Sequence, residues 1–149
     1  EQARPDGEAR WPRFVTLKPT LRCNLRCEFC RFVANGDVFG GRDWMELDDW
    51  KRVIDQVAPF RPYLCITGGE PTLYPHLAEL IAHARSHRLR CVLTTNGTLL
   101  EQKAEALMIA PPDAVILSLD GPREVHDAVR RVPGTYDRAL RGARKLLSL

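Results

Sequence analysis

Four short apolar runs, each followed by a segment of helical periodicity, set the tightest limit on how these residues can fold. RFVTLK (Arg13–Lys18), PYLCIT (Pro62–Thr67), RCVLTT (Arg90–Thr95) and AVILSL (Ala114–Leu119) read as strands. Between them, Trp50, Val53, Ile54 and Val57 mark a helix over Leu47–Ala58, with Asp48 and Asp49 suited to its positive N-terminal end. Leu77, Leu80, Ile81 and Ala84 mark a second helix, and Leu100, Ala104, Leu107 and Met108 a third that stops at Pro111-Pro112. A last helix starts near Tyr136, with Leu140, Ala143 and Leu147 on one face. Strands that are apolar almost throughout, alternating with helices, predict a parallel sheet covered by helices, an α/β fold. At 149 residues the chain has the length of one domain. The expected division is a polar N-terminal extension over residues 1–12 and a core over 13–149 whose last helix is still running at Leu149.

Hydrophobic residues make up 44% and charged residues 28%, proportions that exclude a disordered chain. No run of 18 apolar residues exists, so no transmembrane helix is expected. The opening EQARPDGEAR lacks the apolar core of a signal peptide, which predicts a cytoplasmic protein. Net charge is +3, with the excess of basic over acidic residues lying from Gly121 onward, and this mild balance argues against nucleic acid as a partner.

The five cysteines divide sharply. Cys65 and Cys91 sit in apolar strands and read as small packing groups, with Cys65 at a position where it can face the sheet's concave side. Cys23, Cys27 and Cys30 lie together in a polar, arginine-rich loop. An odd count without a secretion signal speaks against disulfides. Spacings of three and two let one loop wrap a metal centre with thiolates. A closed zinc site would need a fourth nearby ligand, which the loop does not supply; three local thiolates suit an iron–sulfur cluster with one iron left open.

Gly68-Gly69-Glu70-Pro71 ends the second strand, Thr95-Asn96-Gly97 the third, and Ser118-Leu119-Asp120-Gly121 the fourth. In parallel α/β sheets the loops at the C-terminal strand ends converge on one site. The two glycines would let backbone approach a ligand closely, and exposed carbonyls with the Glu70 carboxylate would receive an ammonium group. On this reading Gly69→Val blocks the ligand and leaves the metal loop intact.

Together these segments resemble the radical S-adenosylmethionine (radical SAM) superfamily, over Phe14 to about Leu149. Cys23, Cys27, Phe29 and Cys30 match its Cys-x3-Cys-x-aromatic-Cys motif, and Gly68 to Pro71 its GGEP segment. The resemblance implies a six-unit core of which about four strand–helix units are present, a partial (β/α) barrel truncated at the C-terminus. It also implies a 4Fe-4S cluster on Cys23, Cys27 and Cys30 and SAM on the open iron. Phe29 is then expected near the adenine, Ser118 in contact with SAM, and Arg130 paired with its carboxylate. Thr95 and Asn96 are expected to face the same pocket, although a turn explains Asn96-Gly97 almost as well. His126-Asp127 invites an acid–base reading, but the family shows that pair across many reactions, which favours a structural role. His76, His83 and His87 read as surface residues.

The reaction common to the family is reductive cleavage of SAM to a 5′-deoxyadenosyl radical that takes a hydrogen atom from the substrate. A reductant such as flavodoxin or ferredoxin is implied, and Arg22, Arg26 and Arg31 around the cysteines form a basic rim that would steer such an acidic donor. The SLDGP, HD and GTYDRA segments are similar to a branch rich in peptide- and protein-modifying enzymes, so a small molecule or peptide is the expected substrate. Two alternatives stand beside this reading: a non-catalytic zinc- or cluster-binding module, and a SAM-dependent RNA-modifying enzyme.

Overall fold

The computed structural model describes residues 11–30 and 44–149. Four strands, β1 (Phe14–Leu17), β2 (Tyr63–Ile66), β3 (Arg90–Thr95) and β4 (Ala114–Leu117), pair in parallel in chain order. Helix α1 (Leu47–Val57) follows β1, α2 (Leu77–Ser86) follows β2 and α3 (Leu100–Ile109) follows β3, while α4 (Arg123–Arg130) and α5 (Thr135–Leu147) follow β4. One-turn 3-10 segments at Ala58–Phe60 and Pro71–Leu73 complete the connections. The α/β reading holds, and strand β4 ends two residues earlier than its apolar run because Ser118 and Leu119 turn into the following loop.

Register divides each strand between two faces. Leu17, Leu64, Ile66, Cys91 and Leu93 are buried together with Ile54, Leu77, Leu80, Ile81 and Ala84 from the helices. Burial of these side chains out of water is the main force holding the layers together, at roughly 1.5–3 kcal/mol for each large one. Thr16, Cys65 and Val92 are register partners in a row on the opposite face. That face is open: Phe14 is 68% exposed and Ile116 53%. Cys65 therefore lies on that open face, whereas Cys91 lies in the core, where burial and then the Asp113 charge push its thiol up to about 11.

The helical faces follow expectation with two corrections, at Met108 and on α5. Leu77, Leu80, Ile81 and Ala84 are all buried on α2, and Leu100, Ala104 and Leu107 on α3, with Met108 left at the surface. On α5 the buried face is Thr135, Ala139 and Gly142, and Leu147 is 89% exposed. Small residues win there because α3 approaches closely: a Cβ at Gly142 would stand 2.6 Å from Leu100 Cβ. Residues 1–10 of the expected N-terminal extension, and Arg31 of the expected basic rim, lie outside the described residues.

Candidate functional site

The cysteine loop is held from two sides. On one side the β2 loop reaches it through backbone hydrogen bonds, Gly69 N–H to Thr20 C=O at 3.0 Å and Glu70 N–H to Arg22 C=O at 2.7 Å. On the other, the last carbonyls of α4 accept from it, Val129 C=O from Glu28 N–H at 3.0 Å and Arg130 C=O from Arg26 N–H at 3.4 Å. These are carbonyls that a helix end leaves without intrahelical partners. Thr20 also bridges to Trp44, which closes the base of the long connection.

Gly68 and Gly69 serve this docking. A Cβ on Gly69 would lie 2.1 Å from the Arg22 carbonyl oxygen and 2.4 Å from that of Leu21. A Cβ on Gly68, whose φ of +129° itself favours glycine, would lie 2.4 Å from the Thr20 oxygen. What approaches these glycines is the cysteine loop's own backbone, so Gly69→Val cannot leave that loop intact as the sequence suggested.

Glu70 is likewise an organiser. It is fully buried, and Oε1 accepts from Thr72 N–H at 3.0 Å and from the hydroxyls of Thr72 and Thr95, both at 2.6 Å. Its Oε2 accepts from Asn96 N–H at 2.7 Å. A carboxylate with four protein donors ties the β2 loop to the β3 loop and caps the 3-10 turn that begins at buried Pro71. The expected direct reception of an ammonium group by this carboxylate is therefore replaced by a structural bridge, because no face of it reaches the surface.

From that bridge Asn96 extends to the cysteines. Its Oδ1 accepts from Thr98 N–H at 3.0 Å and Thr98 Oγ1 at 2.7 Å, which directs Nδ2 the other way. Nδ2 donates to Asn24 Oδ1 at 2.9 Å and lies 3.8 Å from Cys23 Sγ, which also faces Leu25 N–H at 3.4 Å. Burial raises the Cys23 thiol above its ordinary pKa. Thr95, expected in the pocket, is spent on Glu70 and on Gly97 N–H.

Arg130 is the cation of the site. Its Nε and Nη2 grip Asp120 at 2.5 and 3.0 Å, a bidentate pair, Nη1 lies 3.8 Å from Cys27 Sγ, and the guanidinium lies 5.8 Å from the centre of the Phe29 ring. The carboxylate it holds in this structure is thus Asp120, a residue the sequence reading quoted only as part of a loop motif. Ser118 enters through its backbone, donating to Thr95 C=O at 3.0 Å and accepting from Arg130 Nη2 at 3.4 Å. Phe29 is 63% exposed at the rim, beside exposed Arg22 and Arg26.

His126 and Asp127 build α4 and α5 into this frame. His126 is buried, its Nδ1 accepts from Asp120 N–H at 3.4 Å, and burial followed by the Arg130 charge lowers its pKa. Asp127 accepts from Gly134 N–H, Thr135 Oγ1 and Tyr136 N–H at 2.7, 2.7 and 2.9 Å, so it caps the start of α5 and its carboxyl is pulled down to about 2.

All five cysteines are free thiols. Three thiols in one clamped loop, with N–H donors aimed at Cys23 and Cys27, suit thiolate ligation of iron: the donors offset negative charge on sulfur.

Known proteins share this fold. The profile of the Radical SAM superfamily matches residues 17–149. The chain is 40% identical over 130 residues to the Fe-coproporphyrin III synthase of Methanosarcina barkeri, covering 86% of the chain and 32% of that protein. It is 35% identical over 141 residues to the mycofactocin maturase MftC of Mycobacterium tuberculosis, covering 91% and 34%. SuiB of Streptococcus suis, bound to its precursor peptide SuiA, superposes with a TM-score of 0.78 at 26% identity, over 93% of this chain and 31% of that one. The chain spans about a third of the length of these relatives.

Proposed function

Because the chain belongs to the radical SAM superfamily, we propose that it carries the cluster- and SAM-binding part of an enzyme that reductively cleaves SAM and uses the resulting radical to take hydrogen from a substrate. Cys23, Cys27 and Cys30 would hold the 4Fe-4S cluster, with SAM on the remaining iron. The observation that carries this reading is the double clamp on the cysteine loop, which uses the GGEP backbone on one side and the end of α4 on the other.

The chain's own residues divide the work. Gly68, Gly69, Glu70 and Pro71 position the loop and present backbone to SAM. Asn96 and Arg130 direct N–H groups at the cluster sulfurs. Arg130 also meets the SAM carboxylate, which competes with Asp120 for the guanidinium fork; Ser118 and Phe29 border the same pocket, and Thr95 supports it from behind through Glu70. Exposed Arg22 and Arg26 favour an acidic reductant, a flavodoxin or ferredoxin, in the cytoplasm. No helix among the described residues is long and apolar enough to cross a membrane.

For the substrate we favour a tetrapyrrole. Besides Fe-coproporphyrin III synthase, the AdoMet-dependent heme synthase of M. barkeri is 37% identical over 134 residues. A peptide is the second reading, on the strength of MftC and peptide-bound SuiB. The test is anaerobic reconstitution with iron and sulfide: Cys23→Ala, Cys27→Ala and Cys30→Ala should each lose the cluster's visible absorbance, while Cys65→Ala and Cys91→Ala keep it. A cluster that needs Cys65 or Cys91 would overturn the ligand assignment.

A further inference from the structure

At the other end of the sheet a second set of ligand-type side chains meets. Helices α1 and α2 run back from the C-terminal strand ends, so their last turns lie near the starts of β2 and β3, away from the cysteine loop. Asp55 in the last turns of α1 faces His83 and His87, which stand four residues apart at the end of α2 and so share one helix face. His83 Nε2 lies 2.7 Å and His87 Nε2 2.9 Å from the same oxygen, Asp55 Oδ1. The two rings meet edge to face with centroids 5.0 Å apart, and the three ligand atoms all fall within 4.8 Å of one another.

We propose that Asp55, His83 and His87 form a binding site for one divalent transition-metal cation, zinc(II) first, that staples α1 to α2. Two imidazole nitrogens and a carboxylate oxygen are the ligand set of open zinc sites, with water completing the tetrahedron. At zinc bond lengths of roughly 2.0–2.2 Å, tetrahedral ligand atoms stand about 3.3 Å apart, so the two N–O separations lengthen by about half an ångström and the N–N separation, within 4.8 Å, adjusts to the same value. Asp55 is half exposed, and its side chain has the freedom for that adjustment.

Three nearby basic groups are held away from the Asp55, His83 and His87 cluster. Lys51 and Arg52 on α1 pair with Asp48 and Asp49, and Arg85 on α2 pairs with Asp113, so these basic groups are directed elsewhere. The bound ion would replace two hydrogen bonds at the protein surface by coordinate bonds joining two helices of the core. Its distance from the cysteine loop makes it a structural site, separate from the radical chemistry.

The test counts zinc. The chain and its variants are equilibrated with zinc chloride, freed of loose metal, and analysed for bound zinc and iron together. Zinc taken by the cysteines is then common to all samples, and the readout is the difference. The proposal predicts that His83→Ala, His87→Ala and Asp55→Asn each lose one zinc equivalent relative to the unaltered chain. His76→Ala, at the opposite end of α2 and paired with Glu79, loses none. Zinc should also raise the melting temperature of the unaltered chain more than that of His83→Ala. Equal zinc in the unaltered chain and the His83→Ala/His87→Ala double variant would overturn the proposal.

Discussion

Asn96 Nδ2 stands 3.8 Å from Cys23 Sγ, and the amide cannot turn away, because Thr98 occupies its oxygen with two donors. A residue of the third strand's loop is thereby coupled to a cysteine of the first strand's loop. Hydrogen bonds to cluster sulfurs stabilise the more negative, reduced state and so raise the reduction potential.

Asn96→Leu should keep the iron content and lower the cluster's midpoint potential. Loss of about 1.4 kcal/mol of stabilisation makes the cluster about tenfold harder to reduce at a fixed potential, near 59 mV for one electron. Redox titration followed by electron paramagnetic resonance measures this. An unchanged midpoint in an iron-replete Asn96→Leu protein would remove Asn96 from the cluster's surroundings.

Gly69→Ala is expected to fail at cluster assembly rather than at SAM binding alone. The added methyl meets backbone carbonyls of Leu21 and Arg22, which cannot swing aside as a side-chain tip would. Overpacking of this kind costs about 2 kcal/mol or more. Both bound iron and the urea midpoint should fall; full iron with weakened SAM alone would restore the ligand-contact reading of the glycine.

Here the limits of the sequence are physical. The strands β1 to β4 are legible as apolar runs and the burial of Leu77, Leu80, Ile81 and Ala84 as helical periodicity, although the run of β4 is exposed over Ala114–Ile116. The residues around Cys23 and Gly69 are legible through loop position, and Arg130, at the end of α4, only through the family resemblance. Their individual partners are not. That Gly69 receives Arg22, that Glu70 is sealed under Thr72 and Thr95, and that Arg130 grips Asp120 are pairings between distant segments, fixed only by docking. The face of α5 is missed for a related reason: Gly142 is buried because α3 comes close, and small residues carry no apolar signal.

Asp127 supplies a pH dependence. Its carboxyl is lowered from an ordinary 3.8 to about 2, first by Tyr136 N–H and then by Thr135. A depressed carboxyl contributes stability that is fully present above the unfolded value and is lost as pH falls through the folded one. Asp127→Ala should therefore unfold at lower temperature than the unaltered chain at pH 7. The gap should narrow as pH falls from about 4 toward about 2. A gap independent of pH would show that the cap acts through shape rather than charge.

The most direct test of the whole account is the electron paramagnetic resonance spectrum of the reduced, iron-loaded chain with and without SAM. Three thiolates on a four-iron cluster leave one iron open, so SAM should change the g-values of the reduced cluster, and Arg130→Ala should demand a higher SAM concentration for the same change. A chain that binds zinc in place of iron at Cys23, Cys27 and Cys30, or a reduced cluster whose spectrum SAM leaves untouched, would contradict it.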